Sequence, residues 1–342
     1  MKSSLTVAIG GLLLMLTASP LHPQKTAANE SKPTTPISLD VVVTDGSHKF
    51  AGGLAKDSFK ILDNGVEQPL TSFSEFAANN PVSVLIVVDA VNTPFTAVAY
   101  QRQQITKYLR ANDGHLERTT TFGILTDAGI RVFNQPSKDG AALADELDQS
   151  EIGLREIRRD QGFYGAQDRL TISLNALHEI AAFEKNLPGR KLVVWISPGW
   201  PLLSGPEVQL GDKDQQQIYN EIVAFSTQLR EAGITLDSVN SWGVEESLGR
   251  AFYYQDFLKG VSRPEQTQLG NLGLQVVAEQ SGGLVLNSSD VVDSLRECVA
   301  DADHYYELSF QPKPTDKHEE YHRLQVVMKG MKARTRQGYY TP

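Results

Sequence analysis

The 342-residue chain has one cysteine, Cys298, so no disulfide can form within it. The run VVDSLRECVA around it has helical spacing, which predicts a buried, unreactive thiol. Positive charge is scarce: 32 Lys and Arg stand against 41 Asp and Glu, a net charge of −9. That balance excludes a broad phosphate-reading face and so predicts no nucleic-acid partner. It also disfavours anionic membrane surfaces. Long apolar runs are scarce too. LTVAIGGLLLMLTA (5–18) falls short of the roughly 20 residues a membrane span needs. With Lys2 before it and small residues at 18–19 and 26–28 after it, this run predicts a cleaved export signal within 1–28. The expected mature chain has no transmembrane span and resides in the periplasm or outside the cell. A phosphate-cradling loop is also missing, since GGLVLNSS and GNLGLQ lack the strand–glycine loop–helix order. ISPGW is not a nucleophile elbow, because its serine does not sit between glycines. No internal repeat is visible.

What is present divides along the chain. Residues 29–36 are polar, with Pro, Ser and Lys, and read as a disordered linker. Residues 37–77 alternate, with turns at Asp45–Gly46 and Asp63–Gly65, and predict about three strands, too few to stand alone. From 81 to 303, apolar strands such as VSVLIVVD and RKLVVWI alternate with helical runs such as FTAVAYQRQQITKYLR and DQQQIYNEIVAFSTQLREAG. TTFGILTDAGIRVF adds a tight hairpin and hence one antiparallel strand. Ser288 or Ser289 is the expected cap of the last helix. Residues 304–342 return to strands, predicted to pack with 37–77. The fold class expected is therefore α/β: a doubly wound, mostly parallel sheet with one antiparallel edge strand, plus an accessory β unit from the N- and C-terminal strands.

The stretch LIVVDAVNTPF (85–95) ends a buried strand on a lone carboxylate, Asp89. In open α/β sheets, sites form beyond the carboxyl ends of the strands, which places Asp89, Asn92 and Thr93 at such a crevice. The plainer reading is that Asp89 caps the helix that begins near Thr96. The loop after RKLVVWI carries Trp200. The long loop at 241–266 carries Trp242, Phe252, Tyr253, Tyr254 and Phe257. Loops of that length are usually functional or disordered, and exposed aromatics make binding anchors. The alternative is that GRAFYYQDFLKG is a small helix with its aromatics buried.

The strand ending in Asp89, the edge hairpin and TISLNAL together resemble a von Willebrand factor type A domain. The flanks VVVTDGSHKFAGGLAKDSFKILDNGVEQPLTSF and YYELSFQP…YHRLQVVMKGMKARTRQGYY resemble bacterial secreted proteins with a VWFA-related domain, over residues 37–342. The resemblance implies a Rossmann-like fold that binds proteins. It also implies a metal-ion-dependent adhesion site, written Asp-x-Ser-x-Ser with a distant Thr and a distant Asp. Asp89 matches the first position, Thr93 the second serine, and Thr171 the distant threonine. Val91 and Pro198 stand where a serine and an aspartate belong. The metal set that remains is Asp89, Thr93 and Thr171, incomplete at Val91 and Pro198. A hard cation needs more oxygens than these supply, so no resident cofactor is expected beyond a weakly held Mg²⁺ or other divalent cation.

One motif points elsewhere. HEEYH (318–322) fits the H-E-x-x-H zinc-protease signature, which requires both histidines on one helix face. YHRLQVVMK downstream alternates like a strand, and His and acidic residues are missing after His322, so a zinc metalloprotease using His318 and His322 is the weakest reading. REIRRD (155–160) is a local basic patch. The function expected is a non-enzymatic, exported adhesion or scaffold module that meets a protein partner at the strand-end loops, through Asp89, Asn92, Thr93, Thr171, Trp200, Trp242, Tyr253 and Tyr254. The other reading is a structural subunit of an envelope assembly.

Overall fold

The computed structural model describes residues 35–342 apart from 48, 77–80, 134–135, 151–161, 202, 204–209, 243–251 and 316. The expected signal, most of the linker, the REIRRD patch and part of the 241–266 loop lie outside the described residues. The chain from residue 34 onward forms one compact unit.

Four strands come first: β1 (Ile37–Thr44), β2 (Lys60–Asp63), β3 (Val66–Gln68) and β4 (Leu70–Phe76). Strict alternation in β1 buries Ile37, Leu39, Val41 and Val43 on one face. There is one strand more than the sequence predicts. Asn64 and Gly65 both take positive φ (48° and 81°), so they close a two-residue hairpin that divides β2 from β3.

The α/β part follows as β5 (Val82–Asp89), α1 (Phe95–Leu109), β6 (His115–Thr126), β7 (Gly129–Val132), β8 (Ser137–Asp139), α2 (Gly140–Gln149), α3 (Gly162–Glu184), β9 (Arg190–Ile196), α4 (Asp212–Ala232), β10 (Ile234–Asn240), α5 (Leu274–Ser281), β11 (Val285–Asn287) and α6 (Val291–Asp303). The sheet order is β11-β10-β9-β5-β6-β7, with β8 also pairing β6. All pairs are parallel except those that β7 and β8 make with β6. The result is a mixed α/β fold around a mostly parallel sheet with helices on both faces. Burial of both faces is why β5 and β9 carry the continuous apolar runs Val84–Val88 and Leu192–Ile196. Leu85 and Val87 pack with Leu177, Trp195 and Phe225 on one side. Val84, Ile86 and Val88 pack with Ile105, Leu109 and Leu295 on the other.

Helix ends follow local chemistry. Gly233 (φ 66°) stops α4 and Gly282 (φ 90°) stops α5, conformations that favour glycine. The cap of α6 corrects the sequence expectation. Asp290, not Ser288 or Ser289, accepts the Asp293 N–H at 2.9 Å. Ser288 instead accepts from the Asp290 N–H at 3.1 Å, turning the chain into the cap. No described helix is long and apolar enough to cross a membrane.

The chain then returns through β12 (Tyr305–Phe310), β13 (Tyr321–Val327), β14 (Lys332–Arg334) and β15 (Gly338–Tyr340). Two further sheets, ordered β14-β1-β12-β4 and β15-β13-β2-β3, interleave strands from both ends of the chain. They share a core of Leu39, Val41, Phe59, Ile61, Tyr306, Phe310, Leu324 and Tyr339. Neither group could bury these side chains alone.

This arrangement also settles the H-E-x-x-H motif. His318 and Glu319 lie in a turn, with Glu319 at φ 56°, and Tyr321 already begins β13. The His318 Nδ1 is 2.7 Å from the carbonyl oxygen of Pro342, and the His322 Nδ1 is 2.7 Å from Asp63 Oδ1. The two rings serve different partners, and no group of three metal-ligating side chains occurs among the described residues. The zinc-protease reading therefore fails: a turn running into a strand stands where the motif needs a helix.

Candidate functional site at the strand ends

Asp89 closes β5, the strand flanked by β9 and β6 at the middle of the large sheet, and is fully buried. It does not cap α1: Pro94 occupies the cap position, without a side-chain hydrogen bond. Its two oxygens accept four hydrogen bonds from the chain itself. Oδ1 takes the backbone N–H of Val91 at 3.0 Å and of Asn92 at 2.8 Å, which bends the AVNT segment over the strand end. Oδ2 takes the Asn92 carboxamide at 2.8 Å and the Trp195 indole N–H at 3.0 Å. A buried tryptophan N–H needs an acceptor, and β9 delivers this one from the adjacent strand, since Val87 pairs with Trp195.

Asn92 extends the network by donating also to Ser173 Oγ at 2.8 Å, and Ser173 donates to the Arg169 carbonyl at 2.8 Å. Ser173 is fully buried on α3. Thr171, two residues earlier, is exposed and donates to the Gln167 carbonyl of its own helix at 3.0 Å. Two residues along a helix turn the side chain by about 200°, so Thr171 and Ser173 cannot share a site. Thr93 is fully buried in the AVNT segment, and its Oγ1 has no hydrogen-bond partner among the described residues. Val91 is fully buried as well and lies in the apolar core. Positive charge is supplied near Asp89 by Arg169. Burial lowers its pKa, while the charges of Asp127 and Asp89 act to raise it.

The donor set does not fit a hard cation. Asp89's oxygens already serve four N–H groups, Val91 and Pro198 offer no side-chain oxygen, and Thr171 faces away. Of the expected ligands, Thr93 alone has a side-chain oxygen left unengaged among the described residues.

The neighbouring loops are tied down. Gly199 takes φ 114°, and a Cβ there would lie 2.8 Å from the amide nitrogen of Gln275, so glycine is required. Gln275 accepts from the Tyr253 hydroxyl at 3.1 Å and donates to the Pro198 carbonyl at 3.4 Å, joining two strand-end loops. Trp200 is buried, edge-on to Trp195 with ring centres 5.2 Å apart. Tyr254 is buried and Tyr253 partly so, within a one-turn helix at Tyr253–Phe257. Trp242 is partly buried, its backbone N–H held by Asn240 Oδ1 at 3.1 Å. Trp200 and Tyr254 are thus packing residues rather than exposed anchors.

The aromatics that do face solvent at this end are others: Phe95 (68% exposed), Tyr164 (77%) and Phe252 (51%), with Phe163 partly exposed. Sequence reasoning passed over the first two. Phe95 continues the row of Val98 and Ile105, which α1 buries, but it occupies the helix's first residue. GFYG places Phe163 and Tyr164 between glycines at the start of α3, a cue that was available.

Comparison with protein-family models gave no match, and comparison with curated proteins gave none. Solved structures similar to this chain include VWA domains. The manganese-loaded TRAP protein of Plasmodium vivax is 10% identical, with TM-score 0.34, over 79% of this chain and 98% of that one. The SpRpn10 VWA domain is 14% identical, with TM-score 0.26, over 63% and 94%. Proximal thread matrix protein 1 from the mussel byssus is 11% identical, with TM-score 0.35; the match covers 67% of this chain and 49% of that protein.

Proposed function

We propose that this chain is an exported, non-enzymatic protein-binding module of the type A kind, related to the bacterial secreted VWFA-related proteins. In this reading its adhesion site is degenerate and its partner docks on the strand-end face without a metal ion. The observation that carries the reading is the set of exposed aromatics, Phe95, Tyr164 and Phe252, at the carboxyl end of a parallel sheet. Large exposed aromatics on a rigid scaffold are typical anchors of an interface. The rigidity comes from Asp89, whose bonds hold the AVNT segment that leads into Phe95.

The test is cross-linked capture from the envelope fraction by the mature chain and two variants. Phe95→Ala with Tyr164→Ala and Phe252→Ala should remove the captured partner while leaving the melting temperature within a few degrees, as surface changes do. A variant with lysines on the outer edge of β4 should still capture it. The opposite pattern would favour assembly through the β edge, as in a structural envelope subunit.

A further inference from the structure

At the opposite end of the large sheet, a cleft of about 320 Å³ separates the amino ends of β9 and β10 from the face of β1, β4 and β12. Its walls bring together three arginines from distant parts of the sequence: Arg190 at the start of β9, Arg230 near the end of α4, and Arg336 between β14 and β15. Two carboxylates, Asp40 and Glu307, line it as well, directly opposite each other in the β1–β12 ladder.

The charges do not cancel. Asp40 is committed to Arg190, 3.4 Å from its Nε, and Arg190 is further held by the Ala302 carbonyl at 3.2 Å and the ring of Tyr305 at 4.6 Å. Glu307 is pushed toward its neutral form, by burial first and by Asp40 second. Arg336 is 9% exposed, and its guanidinium has neither a hydrogen-bond nor an ion-pair partner among the described residues. Burial pushes its pKa down to about 10, with Asp40 opposing and the like charge of Arg230 adding to the fall. Among the described residues Arg230 meets only the Glu231 carboxylate, at 3.8 Å, and its Nε is buried without a partner there. Burying a guanidinium without a partner is costly, and placing a second one beside it compounds that cost. Oxyanions relieve both, since a guanidinium matches carboxylate and phosphate oxygens through paired N–H donors.

We infer that this cleft is a binding site for a small oxyanion-bearing ligand, a carboxylate or a phosphate, held between Arg230 and Arg336 with the Arg190–Asp40 pair as its fixed wall. The volume suits a small organic acid or phosphate ester. The site is independent of the strand-end face, and neither reading requires the other.

The test is calorimetric and thermal titration of the mature chain with inorganic phosphate and with succinate, each against chloride at equal ionic strength. Saturable binding of one or both probes is expected, and which probe binds more tightly assigns the ligand as phosphate-like or carboxylate-like. Arg230→Gln and Arg336→Met should each weaken it about tenfold or more. Arg296→Gln, which alters an exposed ion pair with Asp293, should leave it unchanged. Arg336→Met should also raise the melting temperature of the ligand-free chain, because it removes a buried unpaired charge. Absence of a saturable response to both probes would overturn the inference. So would equal binding by the parent and both cleft variants.

Discussion

Replacing Asp89 by alanine should lower the stability of the fold by about 3–5 kcal/mol, whether or not divalent cations are present. The substitution strands the N–H groups of Val91 and Asn92, the Asn92 carboxamide and the Trp195 indole N–H, all of which now end on Asp89. An unsatisfied buried donor costs about 1–3 kcal/mol, and partial relaxation keeps the total below the simple sum. Trp195→Phe keeps the ring but removes one donor, so it should cost only about 1–2 kcal/mol. An aspartate retained to hold a cation behaves in the opposite way: without the cation, its removal costs little. Urea denaturation of both variants in chelator and in Mg²⁺ measures the difference. A stable Asp89→Ala variant in chelator would show that the strand-end network does not depend on Asp89.

The second large effect is on pH. Stability should fall as pH rises from about 4 to 8, and Asp237→Asn should abolish much of that fall. Asp237 is fully buried in β10, and burial lifts its pKa to about 7. Its Oδ1 accepts the Leu284 N–H at 2.8 Å, while its Oδ2 is buried without a hydrogen-bond partner among the described residues. Glu184 behaves alike, lifted to about 7 by burial, with Lys191 and Ser83 opposing. A carboxyl group whose folded pKa exceeds its unfolded value binds more protons when folded. Its cost therefore grows as pH climbs from the unfolded pKa to the folded one. His322 adds in the same direction, because its bond to Asp63 raises its pKa; that contribution is complete below about 6.5 and lost as pH passes the folded value. For Asp237, a rise of roughly three pKa units sets an upper bound of about 4 kcal/mol. Asp237→Asn should thus exceed the parent by roughly 2 kcal/mol at pH 8 and match it near pH 4. Parallel pH profiles for parent and variant would refute this.

Much of the architecture was legible. VSVLIVVD and RKLVVWI carry continuous apolar runs, Val84–Val88 and Leu192–Ile196, because both faces are covered, and DAG marks the hairpin that makes β7 antiparallel. The strand-end position of Asp89 followed from the same pattern. The partners of that aspartate did not. Spacing selected Thr171, whereas helical phase puts Ser173 on the inner face, and phase is fixed only once the packing of α3 is known. Trp195 looked like one more core residue of a buried strand. Its need for a hydrogen-bond acceptor was a usable signal, since Asp89 ends the next strand. The arginine cleft had no local signature at all. Arg190, Arg230 and Arg336 are far apart in sequence and meet only because strands from both ends of the chain pair with each other.

The central claim is that the chain's own N–H groups, and not a metal ion, complete the Asp89 site. Isothermal titration of the mature chain with Mg²⁺, Mn²⁺ and Ca²⁺ tests it most directly, with Thr93→Val as the control that keeps Asp89 in place. No saturable heat is expected into the low-millimolar range for either protein. Saturable binding by the parent that is lost in Thr93→Val would contradict that claim and restore a working adhesion site.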